Sequence, residues 1–263
     1  MTDYQSINRK LWNDKTGVHL ESEFYDLPGF KAGKSSLNDI ELEQLGDIRG
    51  KKLLHLQCHF GQDTLSLARK GAEVTGVDLS DKAIEAAQGL AEELEIPARF
   101  VTGDVLEADL LLEGEQFDII FSSYGTIGWL PEIKTWGRVI YNLLRPGGVF
   151  HFVEFHPFIW LFDEQFGKIV YPYFNRGPII EEIEGSYADR DAPIKNESCS
   201  WAHSLADVFT ALREPGLDIV SFREFDYSPY DCFPKAVKTE RGYQVKGMEG
   251  MIPMVFALEA VKR

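Results

Sequence analysis

Two aspartates carry the clearest chemical signal in this chain, because each stands where an apolar run stops. Asp78 closes the run in VTGVDLS, and Asp104 follows FVTG. A carboxylate accepts hydrogen bonds only, and the carboxyl ends of parallel strands are where α/β folds hold ligands. The stretch KKLLHLQCHFGQDTLSLARKGAEVTGVDLS reads as a strand over 53–56, a tight turn, and a helix opening at 63–69. A second strand over 74–77 then ends at Asp78. Strand, helix and strand in so short a span make a βαβ unit with a right-handed crossover. Asp78 is then placed to accept both hydroxyls of a ribose, which points to a nucleoside-containing cofactor. The bland alternatives are a helix cap for Asp78, with the helix starting near Ser80, and a turn residue for Asp104.

The turn Gln57-Cys58-His59-Phe60-Gly61 discriminates between cofactors. Backbone approach to a pyrophosphate wants G-x-G-x-x-G, and here a single glycine remains. Gln57 and His59 are expected as a polar wall of the pocket, so a ligand without phosphate at this point fits better. In these features the chain resembles the class I S-adenosylmethionine-dependent methyltransferases. Their first motif, acid-x-Gly-x-Gly-x-Gly, falls on His55, Gln57, His59 and Gly61, and only Gly61 is kept. GVDLS around Asp78, Gly103-Asp104-Val105, FDIIFSSYG (117–125) and LLRPGGVFHFVE (143–154) follow in the family's order. The resemblance implies a Rossmann-like, doubly wound α/β fold with a mostly parallel seven-stranded sheet. Its strand order would be 3-2-1-4-5-7-6, with strand 7 antiparallel and an insertion after strand 5. It implies S-adenosyl-L-methionine as cofactor, with Asp78 on the ribose and Asp104 on the adenine amino group. Gln57, His59, Gly61, Leu79, Val105 and Ser122 would complete the cofactor site, with Trp12 as its cover. Tyr124 would stand near the transferred methyl group.

The elements that position these residues follow from periodicity and punctuation. Helices are expected over 37–46, 80–95, 132–144 and 204–214, and strands over 98–102, 117–122, 148–154, 217–226 and 252–261. Residues 1–34 read as loop-rich, with a short amphipathic stretch at 7–12. The division expected is a lid segment, 1–36, and a methyltransferase domain, 37–263. That domain carries an aromatic-rich insertion, 155–203, and a connection, 227–251. All three non-sheet segments should meet at the strands' carboxyl edge and enclose a partly apolar pocket for a small molecule. His156 and His203 are candidate general bases because imidazole titrates near neutrality. Glu154, His156 and His203 lack metal-ligand spacing, so no metal is expected.

Composition sets the remaining bounds. The chain has 263 residues, 44% of them hydrophobic, and a formal net charge of −15. That charge, without a basic run, argues against a nucleic-acid substrate. No apolar run is long enough for a membrane span, the first residues lack a secretory pattern, and Cys58, Cys199 and Cys232 are scattered. A cytoplasmic protein with reduced thiols is expected, as monomer or homodimer. Two competing readings remain: a catalytically silent S-adenosylmethionine-binding protein and a nicotinamide-dependent oxidoreductase.

Overall fold

The structure, a computed structural model, describes residues 3–263. The first half of the sheet alternates with helices: β1 (Lys52–Leu56), α4 (Gln62–Arg69), β2 (Glu73–Asp78), α5 (Asp81–Glu93), β3 (Arg99–Thr102) and α6 (Ala108–Leu111). β4 (Phe117–Ser123), α7 (Ile133–Leu143) and β5 (Leu144–Phe155) follow. α8 (Leu205–Arg213), β8 (Leu217–Phe225) and β11 (Val255–Lys262) complete it. The seven-stranded sheet runs β3-β2-β1-β4-β5-β11-β8. β11 is antiparallel to both of its neighbours, and the β1–β2, β1–β4, β2–β3 and β4–β5 pairs are parallel. This is the order 3-2-1-4-5-7-6 expected from the sequence.

Strand alternation sends side chains to two separate cores. Leu54, Leu56, Ile120, Phe150, Phe152 and Phe256 pack against α7 and α8 on one face. Leu53, Ile119 and Phe121 pack against Leu45 and Leu67 of the helices on the other. Trp136 of α7 packs on Phe150 and Phe152 of the sheet, and Gly137 lies where α7 and α8 approach closely. A Cβ on Gly137 would lie 2.0 Å from the carbonyl oxygen of Ala211.

The N-terminal segment departs from the loop-rich expectation. It forms α1, an 18-residue helix (Tyr4–Glu21), capped by Asp3 accepting from the Ser6 amide. Two short helices follow, α2 (Leu27–Lys31) and α3 (Asp39–Leu45). The insertion after β5 is built on a hairpin, β6 (Ile179–Glu184) with β7 (Lys195–Ser200), and α1 packs along β7. The connection between β8 and β11 holds the small hairpin β9 (Ala236–Lys238) and β10 (Tyr243–Val245). β5 also begins earlier than expected, at Leu144, because the Pro-Gly-Gly segment continues the strand. Among the described residues no helix is long and apolar enough to cross a membrane.

Gly137→Ala tests the close helix contact. The backbone of α8 cannot yield as a flexible side chain would, so a loss of about 2 kcal/mol or more is expected in denaturant unfolding. Unchanged stability would show that the two helices have room to separate.

Candidate functional site

The turn after β1 passes through three left-handed residues: Gln57 (φ 56°), His59 (φ 50°) and Gly61 (φ 81°). These are the three positions where the resemblance calls for glycine. The backbone keeps the glycine conformation, although two of the residues carry side chains. Left-handed geometry costs such a residue roughly 1–2 kcal/mol. Several bonds offset that cost. The Cys58 amide donates to the Val77 carbonyl at 3.1 Å, and Gly61 to Cys58 at 3.0 Å. The His59 amide donates to Asp78 Oδ2 at 2.8 Å, and Gln57 Nε2 to the Thr126 carbonyl at 2.8 Å. Gly61 itself cannot carry a side chain, since its Cβ would lie 2.8 Å from the Phe100 ring.

Asp78 ends β2 beneath this turn. Its other oxygen accepts the Ser80 amide at 2.9 Å, while the Ser80 side chain caps α5. The acid therefore braces the helix start and the turn together. Burial still outweighs these amides and raises its carboxyl to about 6. Asp104, past β3, accepts from Tyr4 Oη at 2.5 Å, Gln5 Nε2 at 2.7 Å and the Leu106 amide at 2.9 Å. Helix α1 thus spans the ends of β3, β2 and β1. Asn13 meets Ser80 and Asp81, and His19 Nδ1 lies 2.7 Å from His59 Nε2. His19 Nε2 lies 2.6 Å from Ser186 Oγ of the insertion. Burial, foremost, lowers His19 to about 2 and His59 to about 3, so the pair stays neutral.

A cavity of about 1320 Å³ opens between the strand ends and these segments. Its far wall is aromatic: Tyr124 packs on Phe155 and Tyr230, and Phe155 on Phe233 and Trp160. Phe24 reaches Tyr187 and Tyr230, closing the N-terminal segment over both others. The loop after β4 is held by Glu154, which accepts from the amides of Gly125, Thr126, Ile127 and Phe155 and from the Thr126 hydroxyl. These bonds occupy both oxygens of Glu154, which fits an anchor rather than a metal ligand.

A family model described as a methyltransferase domain matches residues 53–148. The chain is similar to an uncharacterized methyltransferase of Synechocystis sp., 34% identical over 133 residues, which are 49% of this chain and 59% of that one. It thus spans about three fifths of that relative's length. It is similar over more of its length to the ubiquinone biosynthesis O-methyltransferase of Bordetella pertussis, 25% identical over 80% of this chain and 78% of that one. Among solved structures it shares its fold with an S-adenosylmethionine dependent methyltransferase from Mesorhizobium loti. There the TM-score is 0.59 at 20% identity, covering 88% of this chain and 99% of the other. Residues 53–148 thus match a methyltransferase domain, and the fold is the one seen in S-adenosylmethionine-dependent methyltransferases. The class binds S-adenosyl-L-methionine and transfers its methyl group.

Most residues singled out in the sequence lie on the cavity wall: Trp12, Gln57, His59, Gly61, Asp78, Leu79, Asp104, Val105, Tyr124 and His203. Two do not. Ser122 is fully buried and donates to Thr126 Oγ1 at 3.3 Å; its neighbour Ser123 takes the wall position, because successive strand residues face opposite ways. His156 shares the face of Phe152 and Phe256, opposite to Phe155. Its Nε2 lies 3.0 Å from Glu224 Oε1, and its Nδ1 accepts the Phe158 amide. The structure therefore gives His156 no access to the cavity. His203 reaches the wall but is pinned, with Nε2 2.8 Å from the Leu130 carbonyl.

Sequence reasoning passed over Asp63. It lies in the first turn of α4, accepts from Ser123 Oγ at 3.4 Å and lines the cavity; burial raises its carboxyl to about 6. A first-turn acid also suits the helix dipole, and that ordinary role masks it. Four buried polar atoms on the wall have no partner within the protein: Tyr124 Oη, His55 Nε2, Gln57 Oε1 and His59 Nδ1. The last three surround the turn, and a polar ligand there would satisfy them, which suits the class's cofactor.

Two predictions follow from this geometry. Asp78→Ala should weaken S-adenosylhomocysteine binding at least tenfold, since hydrogen bonds to a charged acceptor are worth about 1.5–3 kcal/mol each. Asp78 and Asp63 are carboxylates above about pH 6 and take up protons below it, so wild-type affinity should also fall between pH 7.5 and pH 5. Calorimetry giving equal affinity at both pH values, or for both proteins, would remove Asp78 from the site. The second concerns the turn: His59→Ala and His59→Gly both lose the His19 contact, but only glycine adopts φ 50° without strain. His59→Gly should be the more stable by about 1 kcal/mol in urea unfolding, and equal stabilities would show an unstrained turn.

Proposed function

We propose that this methyltransferase methylates a small-molecule acceptor held in the cavity beside its cofactor. The observation that carries the reading is the size of the cavity. About 1320 Å³ exceeds the usual range for one small ligand, roughly 300–1,000 Å³, and so has room for a cofactor and an acceptor. The wall that would meet the acceptor comes from the insertion and the β8–β11 connection, and it is largely aromatic. An enclosure of this kind suits a small molecule better than a nucleic-acid strand, as does the net charge of −15.

Asp78 would take the ribose hydroxyls, Asp104 and Val105 the adenine edge, and Leu79 and Trp12 the flanking apolar surface. Gln57, His59 and Asp63 would meet the amino-acid tail. His55 stands in the position of the family's first-motif acid, and burial lowers it to about 3, so it brings no charge. Asp63 is the nearby carboxylate able to face an ammonium group. When bound, S-adenosylmethionine supplies a methyl group already activated by its sulfonium. The chain's task is then to hold the acceptor in line and exclude water, worth on the order of 7–11 kcal/mol when alignment is good. The Tyr124 phenol is buried and its pKa is raised well above normal, so it acts as a neutral hydrogen-bond donor that orients the acceptor and is a poor base. His203 is the wall imidazole closest to a base, with Nδ1 free if Nε2–H donates to Leu130.

Incubation with methyl-labelled donor and a metabolite extract tests the reading. Label should appear in the small-molecule fraction, and S-adenosylhomocysteine, not NAD, should raise the melting temperature. Label confined to protein or nucleic acid would overturn the small-molecule assignment. Ligand stabilisation without any transfer would identify a silent binding protein.

A further inference from the structure

Lys15 sits two turns from the end of α1, with only 5% of its surface exposed, on the wall of the cavity. Its Nζ lies 5.1 Å from the Trp12 ring centroid and 5.7 Å from that of Tyr187 in the insertion. Among the described residues no carboxylate oxygen lies within 4.0 Å of it, and it makes no hydrogen bond. Lys10, one turn earlier, shows the ordinary arrangement: 67% exposed and paired with Asp14 at 2.7 Å. Two aromatic faces attract an ammonium group but do not replace a counter-ion. The neighbouring imidazoles of His19 and His59 do not supply one either, since both are neutral and Lys15 itself helps keep them so. Burial lowers the Lys15 ammonium to about 8, which leaves it mostly charged at neutral pH.

We propose that Lys15 is an anion-binding residue that receives a carboxylate of a bound ligand. The charge count favours a monoanion. Lys15 is a single buried cation on a wall that also carries Asp63, Asp78 and Asp104. Of the other cations on that wall, Lys34 is paired with Asp26 and Arg190 is exposed. The turn below offers no glycine cradle for a phosphate, because Gln57 and His59 fill it. The carboxylate has two possible sources, the amino-acid tail of the cofactor or an acid group on the acceptor. The first rests on the cofactor placement proposed above, and the second does not.

Calorimetry on wild type and Lys15→Met separates them. Methionine keeps the apolar stem between Trp12 and Tyr187 and removes the charge. The probes are S-adenosylhomocysteine, 5′-methylthioadenosine, which lacks the amino-acid tail, and sodium benzoate added with and without S-adenosylhomocysteine. If the cofactor's tail is the ligand, Lys15→Met should bind S-adenosylhomocysteine roughly 10- to 100-fold more weakly and 5′-methylthioadenosine as wild type does. If the acceptor supplies the anion, S-adenosylhomocysteine affinity should hold and benzoate binding should be lost. Equal binding of every probe by the two proteins overturns the proposal, as does a wild type that binds none of them. A wild type that binds benzoate through Lys15 but neither nucleoside keeps the anion site and overturns the cofactor placement instead. Should Lys15→Met not fold, Lys15→Gln and Lys15→Arg replace it, and only the arginine variant should retain binding.

Discussion

The site depends on one hydrogen bond, from the His59 amide to Asp78 Oδ2. It joins the turn after β1 to the end of β2 and fixes both the strained backbone and the direction of the acid. The bond explains how the turn holds a glycine-like conformation without glycine. A buried carboxylate accepting backbone amides is a strong anchor, and a second anchor, Glu154, holds the loop after β4 in the same manner. The two loops that frame the cavity are thus tied by charge-assisted bonds rather than by apolar packing. Asp78 has further lone pairs once the His59 and Ser80 amides are counted, since a carboxylate accepts about four bonds. The helix-brace reading and the ligand reading of this residue are therefore compatible.

The side chains of the turn and the N-terminal helix hold one another in place. A glycine loop offers bare backbone; this loop offers an imidazole and an amide. The His59 imidazole reaches up to His19, which reaches on to Ser186, so three segments far apart in sequence meet in one chain of polar contacts. Trp12 packs edge-on to both His59 and Trp129, and Tyr4 and Gln5 hold the other end of α1 on Asp104. Remove the side chains from the loop and the helix loses its purchase at that end.

The sheet was legible because its strands are apolar runs that alternate with helices, and the punctuation at Asp78, Asp104 and Pro146-Gly147-Gly148 lies at expected distances. Helix α1 was not, and the cause is physical. Its buried residues include Asn8, Lys15, Thr16 and His19, so it turns polar groups inward and shows little apolar periodicity. The site was legible where an acid ends a strand. It was not legible where parity decides the face, as at Ser122 against Ser123 and at His156 against Phe155. A one-residue error in judging a strand's phase reverses every side chain, and the register of β4 and β5 with their neighbours resolves it. Asp63 and Lys15 were hidden for a different reason: a first-turn acid and a helix lysine are ordinary surface residues until the fold buries them.

Buried ionisable groups displaced toward neutrality line the cavity, and this separates ligand recognition from fold stability. Most ion pairs elsewhere are exposed, such as Arg49 with Asp47 and Lys82 with Glu85, and such pairs stabilise a fold by about 0–1 kcal/mol. On the cavity wall, by contrast, Asp63, Asp78 and Lys15 have pKa values displaced by burial, toward neutrality in each case. Burial of these groups carries a desolvation cost in the empty protein, which Asp78 partly offsets by accepting the His59 and Ser80 amides. Groups whose charge is costly to bury and that line one cavity are what ligand recognition demands, because a ligand that satisfies them recovers the lost solvation. Carboxylates beside the turn suit a sulfonium and an ammonium group, and the lysine across from them suits the opposite charge. The wall therefore presents both signs to a ligand that itself carries both, which favours a zwitterion at this place over a uniformly charged molecule.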